Sequence, residues 1–216
     1  MCYTDIRKRG LPFSSLGDLF LSINPTNWRL CMKFFTLRKS PPPISGVVLQ
    51  WKERDHQYFK EYMMIRDFHY HHKNQWEERE GVDQYDPHSI FVLVVESRHV
   101  VAGCRIINDD IGLPVREVLR NNGLPTEQIP LGSCEISRFV IHPAHLARKE
   151  TGDYVSYLAD AIKLYCSENR IFSAYAVMIS ILEKWMDRLG IPVFPLSQPA
   201  VISHGSETFR TVRFPS

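Results

Sequence analysis

Charge stands in unusual places in this chain: at Arg66, Asp83, Asp86, Arg105, Glu135 and Arg138. Glu135 and Arg138 interrupt the apolar run Cys134-Glu135-Ile136-Ser137-Arg138-Phe139-Val140-Ile141, which lies between Gly132 and Pro143 and reads as a buried strand. Charges in such a strand each need a partner, because desolvation of either can exceed what their attraction returns. Three is an odd separation at period two, so a regular strand points the pair to opposite faces, and a β-bulge brings them together. The pair serves either as a structural tie to a neighbouring strand or as catalytic groups set in mid-sheet.

Arg105 interrupts a second apolar run, while Asp83 and Asp86 lie in a loop bounded by Gly81 and Pro87, where turn chemistry and capping are the ordinary uses of aspartate. His69 and His72 would share a helix face, yet no further ligand with its own spacing accompanies them, and cationic groups are common at helix C-termini. No metal site is expected. The 5 cysteines show no CxxC spacing and read as reduced thiols, with Cys104 and Cys134 as buried structural residues.

The elements that must position these groups can be read from periodicity. A strand is expected at 46–51 and an amphipathic helix from 53 to about 69, with Tyr58, Tyr62, Ile65 and His69 on one stripe and Arg66 near its end. Strands at 89–96 and 100–107 form a hairpin, and a short helix runs from 114 to 122, where Gly123 suits the cap. After the Glu135 strand come a helix at 154–168, a strand at 172–179, a helix at 181–189, and closing strands at 191–196 and 209–214. That order predicts an α/β (α+β three-layer) architecture: a mixed, mainly antiparallel sheet with helices on its faces.

A length of 216 residues, 44% of them hydrophobic, supports one sizeable core, assigned to 45–216. Residues 1–44 lack a sustained period, end in Ser40-Pro41-Pro42-Pro43, and are read as an extension outside that core. With 26 Lys+Arg against 24 Asp+Glu, the charge is too balanced to point to nucleic acid. The apolar stretch at 19–23 is too short to span a membrane and no signal peptide is evident, so a cytoplasmic protein without membrane insertion is expected.

The ordered set Arg66-x3-Tyr70-x5-Trp76, then Val82-Asp83-Gln84-Tyr85-Asp86, then Gly103-Cys104-Arg105, then Glu135-Ile136-Ser137-Arg138-Phe139 resembles the signature of the LuxI-type acyl-homoserine-lactone synthases. The resemblance covers about residues 46 to 190. It departs from the family at Tyr70, where Phe is usual, in a shorter loop between Trp76 and Asp83, and in a poorly matching tail from 196 to 216.

The resemblance implies a GNAT-like acyl-CoA N-acyltransferase fold and a quorum-sensing (autoinducer) synthesis: an acyl group passes from acyl carrier protein or acyl-CoA to the amine of S-adenosylmethionine, which is a substrate, with no cofactor. Lactonisation then expels methylthioadenosine. The residues it implies as catalytic are Asp83, Asp86, Arg105, Glu135 and Arg138. Asp83 and Asp86 suit the cationic end of S-adenosylmethionine, and Arg66 or Arg138 its carboxylate. Tyr70 and Trp76 would cover the adenine or the sulfonium. Phe139, Val140, Ala176, Met178, Leu182 and Trp185 are candidates for an acyl pocket, and Arg148, Lys149, Lys163 and Arg170 for the dock of an acidic acyl carrier protein. The rival readings are an exosortase-associated N-acyl amino acid synthase, which shares the Asp-x-x-Asp and Glu-x-Ser-Arg regions, and another GNAT-like N-acyltransferase. An ordinary acetyl-CoA enzyme wants a glycine-rich loop after the central strand, and 146–152 has one glycine, Gly152.

Overall fold

Val, Ile and Phe dominate the runs that become the centre of the sheet: β3 (Ser89–Glu96), β4 (His99–Asn108) and β5 (Cys134–Ile141). Branched and aromatic side chains pack well on a pleated surface, and near-continuous apolar character fits strands covered on both faces. The computed structural model describes residues 33–38, 43–73, 81–127, 129–146, 151–197, 200–201 and 208–214. The chain divides between Cys31 and Met32, and every described residue falls in the second unit, Met32–Ser216.

The other strands are β1 (Lys33–Arg38), β2 (Ile44–Gln50), β6 (Ala174–Ile179), β7 (Phe194–Pro195), β8 (Ala200–Val201) and β9 (Thr208–Phe214). They form one 9-stranded sheet in the order β1-β2-β3-β4-β5-β6-β9-β7, with β8 beside β9. Among the described pairings β5–β6 is parallel and the rest are antiparallel. The β3–β4 hairpin turns through Ser97 and Arg98, at φ 50° and 68°, which fits the tight turns that match strand twist.

Helices α1 (Gln57–Asp67) and α2 (Pro114–Asn121) lie on one face, and α3 (Thr151–Glu168) with α4 (Ser180–Arg188) on the other. On the α3 face Val92, Val94, Cys104 and Ile106 meet Tyr154, Val155, Leu158 and Ala161. Opposite them, Leu49, Phe91 and Leu93 pack on Phe59, Tyr62 and Ile65 of α1, while Ile107 and Tyr175 pack on Leu113, Val115 and Leu119 around α2. The Phe91 ring meets Phe59 and Tyr62 edge-on, with centroids 4.7 and 5.7 Å away. Its loss to alanine would cost on the order of 3–5 kcal/mol.

Two expectations need correction. The boundary near residue 44 is too late, because β1 pairs with β2 at the sheet edge and the Ser-Pro-Pro-Pro run separates two paired strands. The helix expected to 69 ends as an α-helix at Asp67 and continues as a π-helical turn over Phe68–Lys73. Periodicity does not distinguish the two helix types, and such turns occur often at functional sites.

Two irregularities interrupt the sheet around β5. β5 and β6 pair only at Cys134–Ala174 and Glu135–Tyr175, so beyond those residues the strands part. Along β4, the pairs Gly103–Val140 and Arg105–Ser137 leave one β4 residue opposite two on β5, Arg138 and Phe139. That is a β-bulge, and Arg138 takes φ 53° to make it.

Candidate active site

Before the bulge, Cys134 and Ile136 face the α3 core, so Glu135 and Ser137 face α1 and α2. The extra residue lets Arg138 follow Ser137 onto that side. Arg138 Nη2 donates to Asp83 Oδ2 at 3.0 Å, and Arg105 Nε donates to Ser137 Oγ at 3.0 Å. Arg105 Nη1 donates to Asp83 Oδ1 and, at 2.8 Å, to Asp86 Oδ1. Arg66, from the last turn of α1, donates from Nη1 to the same Asp86 oxygen at 2.8 Å. Its Nη2 lies 3.7 Å from Asp83 Oδ2 and has no hydrogen-bond partner among the described residues.

Local chain chemistry arranges the aspartates. Asp83 Oδ1 accepts the Tyr85 N–H at 2.9 Å, Asp86 Oδ2 accepts the Asp83 N–H at 2.9 Å, and Asp86 N–H donates to the Asp83 carbonyl at 3.1 Å. Both carboxylates therefore cap their own turn while holding arginines. Asp86 is 0% exposed and the Asp83 side chain 15% exposed. Asp86 is thus a brace beneath the network, and Asp83 its carboxylate nearer solvent. Burial alone would raise the Asp83 carboxyl, but the hydrogen bonds and charges of Arg105 and Arg138 hold it well below the usual carboxylate range. For Arg105, burial acts to lower the pKa, and Asp83 and Asp86 more than offset it.

Glu135 goes elsewhere. Its Oε2 accepts the Val115 N–H at 2.6 Å, at the start of α2, where the N-cap Leu113 offers no side-chain acceptor. A carboxylate from the neighbouring strand takes the capping role that helix needs. Burial pushes the Glu135 carboxyl up to about 7, against the Val115 hydrogen bond and the charges of Arg105 and Arg138. The two charges of the β5 strand do not partner each other: Glu135 holds α2, and Arg138 holds Asp83.

Aromatic groups complete the site. The Arg138 guanidinium lies 5.0 Å from the Tyr70 ring centre and that of Arg105 5.9 Å from Tyr85. Tyr62 and Tyr70 donate their hydroxyls to the carbonyls of Arg138 and Phe139, at 3.0 and 3.3 Å. His69 Nε2 contacts the Ile141 carbonyl at 2.7 Å, so it is engaged with β5. Trp76 lies outside the described residues, as do Arg148 and Lys149. Of the acyl-pocket candidates, Phe139, Ala176, Met178, Leu182 and Trp185 belong to the α3-side cluster, whereas Val140 packs on the α1 side.

Sequence reading passed over Ser137, Tyr62 and Tyr85. Ser137 shares the parity of Glu135, which was a usable signal; the Tyr62 hydroxyl was hidden in an apolar helix stripe. Cys104 is buried and burial pushes its thiol up, which suits a structural residue. Among the described residues no group of His, Cys, Asp and Glu could hold a metal ion, and no helix is long and apolar enough to cross a membrane.

Residues 57–153 match the acetyltransferase (GNAT) domain family. Similar solved structures include the acyl-homoserine-lactone synthase LasI, at 19% identity and TM-score 0.63, covering 86% of this chain and 90% of that one. BjaI, a CoA-dependent acyl-homoserine lactone synthase solved with MTA, matches at 19% identity and TM-score 0.57, over 78% of this chain and 81% of its own. Escherichia coli ElaA matches at 12% identity and TM-score 0.58, over 79% and 99%. No curated protein sequence matches at a significant level. The fold is that of the GNAT acyltransferases.

Proposed function

We propose that the protein is an acyl-homoserine-lactone synthase acting on S-adenosylmethionine and an acyl thioester. The observation that carries this reading is the convergence of Arg66, Asp83, Asp86, Arg105 and Arg138 from separate elements into one hydrogen-bonded network, set beside the place where β5 and β6 part. At the bulge the chain passes from the charged side, at Arg138, to the apolar side, at Phe139. In this reading the polar amine substrate lies on the charged side and the acyl chain on the apolar side, and the two meet at one turn of backbone. BjaI has also been solved with SAM and isopentyl-CoA, at 18% identity and TM-score 0.55 to this chain.

The chemistry asks for definite things of these residues. The methionyl amine loses a proton and attacks the thioester carbonyl; the tetrahedral oxyanion collapses, the carbon–sulfur bond of the thioester breaks, and the carrier leaves as a thiol. The substrate carboxylate then attacks its own γ-carbon, breaking the bond to the sulfonium and releasing neutral methylthioadenosine. Arg138, with its side chain 8% exposed, and the Nη2 of Arg66, which has no hydrogen-bond partner among the described residues, are the donors for that carboxylate. Asp83 faces the cationic end, and Tyr70 offers a ring to the sulfonium. Asp86 keeps Arg66 and Arg105 in place from below. The strand edges freed where β5 and β6 part suit an extended thioester arm, and the acyl chain enters the cluster of Ala176, Met178, Leu182 and Trp185.

Whether the donor rides on acyl carrier protein or coenzyme A turns on surface charge; Lys163 and Arg170 are exposed cations along and just after α3. Expression in a bacterial host followed by mass spectrometry of the extracted medium tests the reading. N-acyl-homoserine lactones absent from control cultures support it, and a linear N-acyl amino acid in their place overturns it in favour of an N-acyl amino acid synthase.

A further inference from the structure

We infer that Tyr62 is a positioning residue for Arg138, acting through the backbone of the bulge; this rests on the proposed acyl transfer. Tyr62 is fully buried on α1, and its hydroxyl donates to the Arg138 carbonyl at 3.0 Å. Peptide groups are planar, so fixing that carbonyl also fixes the N–H of Phe139 and the plane from which both side chains depart. Arg138 needs such help because its φ of 53° lies in a region that L-residues with a side chain rarely adopt. The Tyr70 hydroxyl holds the next carbonyl, that of Phe139, so two phenols from one helical run secure successive peptide planes.

Room for Tyr62 is made by one glycine. A Cβ at Gly103 would lie 2.8 Å from Cδ2 of the Tyr62 ring and 2.8 Å from Leu93 Cδ2. Gly103 faces α1 directly across from Val140, next to the bulge, so the ring can lie flat on the sheet and its hydroxyl can reach β5. Burial also pushes the phenol pKa far up, which keeps the hydroxyl a donor across the working pH range. The Tyr62 hydroxyl bonds the backbone of Arg138, not the guanidinium that the proposed chemistry assigns to substrate. It works one step behind that group.

A hydroxyl that merely satisfies a nearby acceptor would affect stability alone, and a double-mutant cycle on substrate affinity separates the two cases. Tyr62→Phe keeps the ring on Gly103 and deletes the donor. Calorimetric titration of S-adenosylmethionine into the full chain is expected to show roughly tenfold weaker binding for Tyr62→Phe than for wild type. In an Arg138→Ala background the same change is expected to do nothing further. Gly103→Ala, which shifts the ring and keeps the hydroxyl, is expected to reproduce the loss, so the test does not hang on one variant. Full binding by both Tyr62→Phe and Gly103→Ala, or the same tenfold loss with Arg138 already removed, overturns the inference while leaving the functional reading intact. A wild-type chain that does not bind S-adenosylmethionine overturns both.

Discussion

Ser137 and Arg138 are neighbours in sequence and join the same hydrogen-bonded network, through Arg105 and Asp83 respectively. A regular strand sends adjacent side chains to opposite faces. The bulge opposite β4 cancels that alternation for one residue, with Arg138 at φ 53°. Local strain at this point is the structural condition for the site to exist.

Arg138→Gly separates strain from function. Glycine adopts positive φ without the penalty of roughly 1–2 kcal/mol that L-residues carry there, which offsets the lost contact to Asp83. Stability in urea is expected to stay within about 1 kcal/mol of wild type, while affinity for S-adenosylmethionine falls at least about tenfold. A variant that binds normally would remove Arg138 from the site.

The two aspartates are expected to fail differently. Asp86→Asn leaves Arg66 and Arg105 buried short of a counter-charge, so unfolding free energy should drop by about 3 kcal/mol. Asp83→Asn, nearer solvent, should cost less stability and roughly ten- to hundredfold in turnover. Paired denaturation curves and turnover rates check this; equal stability losses would contradict the brace role of Asp86.

Glu135 gives a pH signature. Its carboxyl is raised from 4.5 to about 7, so the folded state binds more protons than the unfolded chain between those values, and its contribution to stability falls as pH rises through that window. The shift corresponds to at most about 3–4 kcal/mol. Glu135→Gln keeps an acceptor for the Val115 N–H and abolishes the titration, so its urea midpoint should vary less between pH 5 and 7.5 than that of wild type. Parallel profiles would show that Glu135 is ionised throughout. Asp83 works in the opposite sense: its lowered pKa contributes stability that is lost only as pH falls below the usual carboxylate range.

Ala176 tests the acyl compartment. It is buried on the face shared with Met178, Leu182 and Trp185, so Ala176→Leu fills space that the acyl chain is proposed to use. Product mass spectra should shift to shorter chains, with an overpacking cost of about 1–3 kcal/mol. An unchanged chain-length distribution would place the acyl group elsewhere.

Much of this was legible in the sequence, and for physical reasons. Arg105, Glu135 and Arg138 announced themselves because charge inside an apolar run demands a partner, and the odd spacing of Glu135 and Arg138 raised the possibility of a bulge. What the spacing could not tell was which partner each would find. Glu135 serves the start of α2, a contact across 20 residues that depends on where α2 docks. Nor could periodicity show that a π-helical turn follows α1, placing Tyr70 against β5. β1 was lost because its short run carries no pattern distinct from its surroundings and a proline run follows it. Of the strand expected at 191–196 only Phe194–Pro195 pairs with β9, and β8, also set by pairing with β9, has too few residues to show a period.

The most direct test of the central claim is a stoichiometry. Purified full-length protein, given S-adenosylmethionine and an acyl thioester, is assayed for methylthioadenosine, free thiol and acyl-homoserine lactone by chromatography and mass spectrometry. The expected result is one methylthioadenosine and one thiol for each lactone, with the methylthioadenosine dependent on the acyl donor. Thiol release coupled to a linear amide, with no methylthioadenosine formed, would contradict it.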